Sequence, residues 1–338
     1  MKRYAITGGG TGGHLTIARA LKKEIVARGD EVVFIGSANG QDPFWFKNEE
    51  GCKEKIFLNS SGVTGKGNLK GLKSMANLVK LAIGLNPLFN KYNFDAVISV
   101  GGYSSAPASI LAILRRIPLF VHEQNAEIGK FNKLLKPFAK EFFSSYLVES
   151  PVKDYPIADI FFKGRRIRKN ISKVIFLGGS QGARFINDFA IKVAPHLKEL
   201  QIDIIHQTGK ADYERIRNAY REIGIEVELI DFHPELSRFI SIADLAIGRS
   251  GASTLWELSA NGLPAFFIPY PLANNHQWHN AKFISDLNLG WVYPQSEVQP
   301  DNLYAILGEN LESKSRELMQ MISPNGVKKI IDHIERNL

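Results

Sequence analysis

Four times along this chain a short apolar run ends in glycine and gives way to a helical stretch, and that recurrence limits the fold more than any other feature. Tyr4-Ala5-Ile6-Thr7 enters Gly8-Gly9-Gly10-Thr11-Gly12-Gly13-His14, and the run from Asp95 to Val100 enters Gly101-Gly102-Tyr103-Ser104-Ser105. Val174-Ile175-Phe176-Leu177 enters Gly178-Gly179-Ser180-Gln181-Gly182-Ala183-Arg184. Leu245-Ala246-Ile247 enters Gly248-Arg249-Ser250-Gly251-Ala252-Ser253-Thr254. Apolar strands that alternate with helices build a parallel sheet covered by those helices. The first helix is expected from about Thr16 to Arg28, closed by Gly29, with Glu31 to Ile35 as the next strand. Leu119-Phe120-Val121 follows a further helix; the series restarts at Val174 and runs on through Ile202 to Ile205 and Glu226 to Ile230. Two series of similar length predict an α/β protein of two facing domains with parallel sheets and a cleft between them. A chain of 338 residues is also long for one core. The irregular basic stretch from Asp159 to Lys173 is expected to link the two.

Composition narrows the class. Hydrophobic residues make up 44% and charged residues 22%, which describes a globular chain and excludes a disordered or fibrous one. One cysteine, Cys52, excludes an internal disulfide framework and points to a reducing compartment. The start reaches Gly8 too soon for a signal-peptide core, and no apolar run approaches the length of a membrane span. The net charge of +8 is unevenly placed: six lysines and no acid lie between Lys55 and Phe94. Ile128 to Lys140 carries Lys130, Lys133, Lys136 and Lys140, again without an acid. Lysines interleaved with Leu, Ile and Phe suit an anionic membrane surface better than nucleic acid, for which no module signature is present. On a helical projection Lys66, Lys70, Lys73 and Lys80 form a stripe beside an apolar face of Leu69, Leu72, Met75, Ala76, Val79 and Ile83. A core-packing helix with solvated lysines would give the same pattern.

The glycine loops define the candidate chemistry. Glycine after a strand lets a backbone approach a ligand closely, and the next helix start offers free N–H groups to an anion. Gly8, Gly10 and Gly13 match the dinucleotide pattern, yet the second strand ends Phe34-Ile35-Gly36-Ser37 without the acid that a nicotinamide site wants. In Rossmann-like domains ligands bind beyond the carboxyl ends of the strands, where all four loops would lie. A diphosphate could rest on the N–H groups near Ala252 to Thr254, with Glu257 accepting both ribose hydroxyls. Tyr270 to Asn280 and His122-Glu123-Gln124-Asn125 are rich in amide and imidazole groups, which suit sugar hydroxyls. No Asp-x-Asp pair and no metal-ligand spacing appear.

Gly-Gly-Thr-Gly-Gly-His at 9–14, Gly-Gly-Tyr at 101–103, His-Glu-Gln-Asn at 122–125, Gly-Gly-Ser-Gln-Gly-Ala-Arg at 178–184 and Arg-Ser-Gly-Ala at 249–252 resemble, in order, the MurG family of bacterial N-acetylglucosaminyltransferases. The resemblance implies a GT-B fold and an inverting transfer from UDP-N-acetylglucosamine to the 4-hydroxyl of a lipid-linked muramoyl peptide. It implies domains at 1–162 (acceptor and membrane side) and 163–321 (donor side), with 322–338 returning to the first. By motif, Thr11, Gly12, Gly13 and Asn125 would meet the donor sugar and diphosphate, and Ser180 a phosphate. Phe232 and His233 would flank the uracil, with Arg168 nearby. Ala252, Ser253, Thr254, Leu255, Trp256 and Glu257 would hold diphosphate and ribose, and Gln277 the sugar hydroxyls. His14 is the expected general base, with His122 its competitor. No tightly bound cofactor is expected, and Mg2+ enters only as a candidate activator. The partners implied are the two substrates and an anionic membrane, at the cytoplasmic face of the bacterial inner membrane. The chain departs from the family at Leu15-Thr16-Ile17, at Gly164-Arg165-Arg166-Ile167-Arg168 and at His276. A UDP-N-acetylglucosamine 2-epimerase, or a binding protein without turnover, shares enough of these features to stand as the rival.

Overall fold

The computed structural model describes residues 1–60, 68–179, 183–231, 233, 235–271 and 275–338, the side chains of 68–75 excepted. It forms two compact units, Met1–Ala158 with Asn325–Leu338, and Asp159–Pro324. Six parallel strands make the first sheet: β1 (Arg3–Thr7), β2 (Glu31–Ser37), β3 (Glu54–Leu58), β4 (Ala96–Ser99), β5 (Leu119–Glu123) and β6 (Glu141–Ser144), in the order β3-β2-β1-β4-β5-β6. The second sheet holds β7 (Lys173–Leu177), β8 (Asp203–Gln207), β9 (Glu228–Ile230), β10 (Leu245–Gly248), β11 (Ala265–Phe267) and β12 (Trp291–Val292), in the order β12-β11-β10-β7-β8-β9. Counted from each unit's first strand, the two orders are the same. The chain is therefore a structural repeat as well as a pattern repeat. In each sheet the strand order reverses between the two strands that run into glycine loops, β1 and β4 in one and β7 and β10 in the other. That reversal is where open α/β sheets leave a crevice.

The central strands form because both of their faces are covered. Tyr4, Ala5 and Ile6 of β1 and Val174, Ile175 and Phe176 of β7 are fully buried, so these runs are apolar throughout rather than alternating. Leu111, Ala112 and Val97 belong to the first core, and Phe189, Val193 and Leu245 to the second. The edge strands β3, β6 and β12 are the ones the sequence pattern does not announce. All five residues of β3 are only half-buried, so its alternation carries little signal.

The first helix, α1 (Gly12–Ala27), begins four residues before its expected start at Thr16. Gly12 and Gly13 are poor helix formers, yet they make its first turn, because burial of Leu15, Ile17, Ala18, Leu21 and Ile25 outweighs their propensity. Gly29 follows the helix at φ +83°, as the sequence requires. A short helix, α2 (Asp42–Phe46), follows β2, and α3 (Asn68–Gly84) precedes β4. The helix Gly326–Arg336 belongs to the first unit and packs on α1, where Arg28 reaches Asp332 at 2.7 Å and Glu335 at 2.9 Å. No described helix is long and apolar enough to cross a membrane.

Candidate active site

In the first unit the loops after β1 and β4 touch each other. The Gly9 N–H donates to the Gly101 carbonyl at 3.1 Å. A Cβ at Gly8 would collide with that carbonyl, and one at Gly102 with the Gly9 carbonyl, so glycine is required for the loops to meet. The Gly8 N–H donates to Ile35, and the Gly10 N–H to the Asp42 carboxylate at 2.6 Å. Amides expected to face a ligand are thus already engaged at Gly8, Gly9 and Gly10. The ligand-facing part of this loop is Thr11 to His14, which is exposed at Thr11 and half-buried beyond it.

Asp42 is the residue that sequence reasoning missed here. It is fully buried and takes the Gly10 and Ser37 N–H groups on its two oxygens, at 2.6 and 2.7 Å. Burial pushes its carboxyl pKa up, against the pull of those N–H donors. The second strand indeed ends without an acid; this one arrives five residues later and holds the glycine loop instead of a ribose. Its only signal is the Asp-Pro pair at a helix start.

The loop after β5 is organised the same way. Glu123 is buried and accepts from the Asn125 and Gly129 N–H groups at 2.9 Å each, and from Asn132 Nδ2 at 2.9 Å. It holds Asn125 half-buried just beyond the carboxyl end of β5. His122 is buried, and burial together with nearby His14 pushes its pKa down to about 3. A neutral ring shut away from solvent cannot meet a substrate hydroxyl, so His122 falls out as a rival base. His14 remains, with Nδ1 at 2.7 Å from Thr11 Oγ1.

In the second unit the helix Ala252–Asn261 starts at Gly251 with no side-chain cap, which leaves its leading N–H groups open to an anion. Ser253, Thr254 and Glu257 are half-buried on this helix. Glu257 has no hydrogen-bond or ion-pair partner among the described residues, and burial pushes its carboxyl up to about 7. Leu255 and Trp256 are corrected from ligand contacts to core residues. Both are fully buried, and the Leu255 N–H is taken by the Gly251 carbonyl. Ala252 is buried and has only backbone to offer. Gln277 is half-buried; its Oε1 accepts from the Tyr270 N–H at 3.0 Å, which fixes the direction of its Nε2. His233 stands edge-on to Phe239 with ring centroids 5.0 Å apart. Ser180 and Phe232 lie outside the described residues.

Arg168 is the largest correction. Its side chain is fully buried, and its guanidinium donates to the carbonyls of Arg166, Ile240, Ser241, Ala243 and Asn261 and to Asn261 Oδ1. No N–H is left over for uracil, because a planar fork buried among carbonyls has all its donors engaged. The basic stretch around it is fastened to the second unit, with Arg166 on Asp244 at 2.6 Å. Behind the third glycine loop a buried His206 joins Tyr220 at 2.9 Å and Asn187 at 3.0 Å. Among the described residues no three His, Cys, Asp or Glu side chains are grouped to hold a metal.

Two repeats of the same parallel sheet, with an uncapped helix start at the strand-order reversal of the second and beside it a carboxyl that has no partner among the described residues, give the GT-B architecture of nucleotide-sugar enzymes, and the relatives decide which reaction. The family models for the glycosyltransferase family 28 N-terminal and C-terminal domains match residues 4–144 and 173–335. A protein of Campylobacter hominis named UDP-N-acetylglucosamine–N-acetylmuramyl-(pentapeptide) pyrophosphoryl-undecaprenol N-acetylglucosamine transferase is 51% identical over 99% of this chain and 97% of its own. A Sulfurimonas denitrificans protein of the same name is 48% identical over 99% of both chains. The crystal structure of Acinetobacter baumannii MurG has a TM-score of 0.82 at 26% identity, covering 99% of this chain and all of that one. The chain belongs to glycosyltransferase family 28, and it is a hexosyltransferase.

Proposed function

We infer that the chain transfers N-acetylglucosamine from UDP-N-acetylglucosamine to undecaprenyl-pyrophosphoryl-N-acetylmuramyl-(pentapeptide), making the second lipid intermediate of peptidoglycan synthesis. The observation that carries this beyond the family is the division of chemistry between the units. The second unit supplies an open helix start and a carboxyl with no partner among the described residues, which suit a nucleoside diphosphate; the first supplies an imidazole at the end of a glycine loop. The α-linked donor is attacked at its anomeric carbon by the acceptor 4-hydroxyl, which gives a β-linked product. Thr11, Gly12, Gly13 and Asn125 face the donor sugar and diphosphate, and Ser180 a phosphate. His233 and Phe232 border the uracil, and Gln277 Nε2 meets a sugar hydroxyl. His14 takes the proton. Incubation with radiolabelled UDP-N-acetylglucosamine and the lipid acceptor should give a doubly glycosylated lipid. Label that instead accumulates as the 2-epimer without any acceptor would establish the epimerase rival.

Glu257 faces the ribose, and this has a measurable consequence. Glu257→Ala removes a charged acceptor for two hydroxyls and should weaken UDP binding by about 1.5–3 kcal/mol. Because the free carboxyl titrates near 7, it becomes the better acceptor as pH rises through neutrality. UDP affinity of the wild type should therefore climb more steeply from pH 6 to 8 than that of Glu257→Gln, which controls for the diphosphate's own titration. Calorimetry showing equal affinities and parallel pH profiles would remove Glu257 from the nucleotide site.

The first unit also carries the groups for a membrane surface. Ala76, Val79 and Ile83 of α3 are exposed, whereas Leu78 and Ala82 of the same helix are buried, so the helix packs on one side only. Leu114, Leu134 and Phe138 are exposed as well, at 67%, 68% and 62%, near Arg115, Lys133 and Lys136. Lys66, Lys70 and Lys73 lie outside the described residues or side chains, as do those of Leu69, Leu72 and Met75. Each lysine near an anionic bilayer contributes about 1 kcal/mol. Co-sedimentation with anionic vesicles should fall with added salt and on charge reversal of Lys80, Lys133 and Lys136. Binding indifferent to both would leave these faces as ordinary solvated surface.

A further inference from the structure

We propose that the Thr11 hydroxyl is a catalytic proton relay, standing between the acceptor hydroxyl and His14. This rests on the transferase function with His14 as its base. Thr11 is the N-cap of α1 and His14 its third residue, the spacing at which a threonine hydroxyl ordinarily accepts the backbone N–H of the first turn. Here it makes no capping bond. It turns instead to His14 Nδ1 at 2.7 Å. A capping residue that gives up its cap for a side chain is held there by something other than helix stability.

The direction of the imidazole explains the need for a relay. His14 Nε2 lies against the second glycine loop: a Cβ built at Gly101 would fall 3.1 Å from it and 3.2 Å from Asn132 Nδ2. Buried Asn132 lies on that side. The other nitrogen faces Thr11, the exposed residue of the loop. Whichever nitrogen carries the ring proton, the Thr11 oxygen is the hydroxyl in direct contact with Nδ1, at an exposed position. With the proton on Nε2, the Thr11 O–H donates to Nδ1 and its oxygen lone pairs face outward, ready to accept.

The step then balances. The acceptor oxygen bonds to the anomeric carbon of the donor sugar as the carbon–oxygen bond to the diphosphate breaks, and UDP leaves with the electron pair. The acceptor proton moves to Thr11 Oγ1 as Thr11's own proton moves to His14 Nδ1. The imidazolium later releases that proton to water. The Thr11 carbonyl accepts the Leu15 N–H at 3.2 Å, so the donor would meet the Thr11 N–H, and the relay concerns the hydroxyl alone.

Thr11→Val keeps the shape and removes the hydroxyl; Thr11→Ser restores it. With lipid acceptor and saturating UDP-N-acetylglucosamine, Thr11→Val should lower kcat by about 10²–10³-fold. Its affinity for UDP-N-acetylglucosamine by calorimetry should stay within about twofold, and Thr11→Ser should recover most of the rate. Because the two groups act in series, Thr11→Val combined with His14→Ala should be no slower than His14→Ala alone. The wild-type rate in mixtures of light and heavy water should curve, with two protons in motion, and become linear in Thr11→Val. Near-normal kcat in Thr11→Val with weakened donor binding would make the hydroxyl a donor contact and overturn the relay. Failure of the wild type to glycosylate the acceptor at all would instead overturn the function on which it rests.

Discussion

His14→Ala should lower kcat by about 10²–10⁴-fold while affinity for UDP-N-acetylglucosamine stays nearly constant. The size follows from the chemistry: the acceptor hydroxyl is a poor nucleophile until its proton has somewhere to go, and the transfer happens only in the transition state. The location follows from packing. His14 is set on the first turn of α1, and that turn is fixed by the loop behind it, where Asp42 holds Gly10 and Gly101 holds Gly9. Two other histidines in apolar strands, His122 and His206, are buried and pushed down to about 3, so neither can share the role. The measurement is kcat at saturating donor alongside calorimetric donor affinity. A variant that loses donor affinity and keeps its rate at saturation would make His14 a binding residue.

The fold was legible wherever a strand is covered on both faces, because burial there writes an unbroken apolar run into the sequence. β1, β4, β7 and β10 are such strands, and they carry the four glycine loops. Edge strands were not legible. β3 and β12 have one neighbour each in their sheets, and their mixture of Lys, Glu, Ile, Phe and Trp could as well be loop. The start of α1 was missed for a related reason. Propensity places Gly12 and Gly13 outside a helix, and only the core contacts of Leu15 and Ile17 bring them in.

The candidate site divides along similar lines. Residues whose side chains act at the surface of a loop, such as His14, Asn125 and Glu257, stand out in sequence as polar groups after apolar strands. Residues that act by holding the loops do not stand out, because their partners are far away in the chain. Asp42 reaches back 32 residues to Gly10, and Asn187 reaches Thr208 and Asp212. Leu255 and Trp256 show the opposite error. A motif is contiguous in sequence, but on a helix its residues point in different directions, and only those at the spacing of Ser253, Thr254 and Glu257 keep clear of the core.

Arg168→Met should destabilise the second unit by about 3–5 kcal/mol, since it leaves a set of buried carbonyls without donors. Ala243, Ile240 and Ser241 end the helix Leu236–Ile242, and Asn261 ends the helix Ala252–Asn261. Arg168 therefore puts one cation at the carboxyl ends of two helices, where their dipoles favour it even without a carboxylate in contact. Burial and Arg166 push its pKa down and Asp244 pulls it up, but carbonyls on every arm of the fork hold the charge in place. Lysine is a point charge with three donors and cannot span both helix ends, so Arg168→Lys should rescue only part of the loss. The two helices are not bystanders: the first follows His233 and the second carries Glu257, so one buried guanidinium fixes both sides of the proposed nucleotide site. Three of the four tryptophans, Trp256, Trp278 and Trp291, lie in the second unit, and their fluorescence during urea unfolding should report the earlier transition of the variant. UDP should still bind the folded fraction with near-normal affinity. An unchanged midpoint with weakened UDP binding would return Arg168 to the uracil.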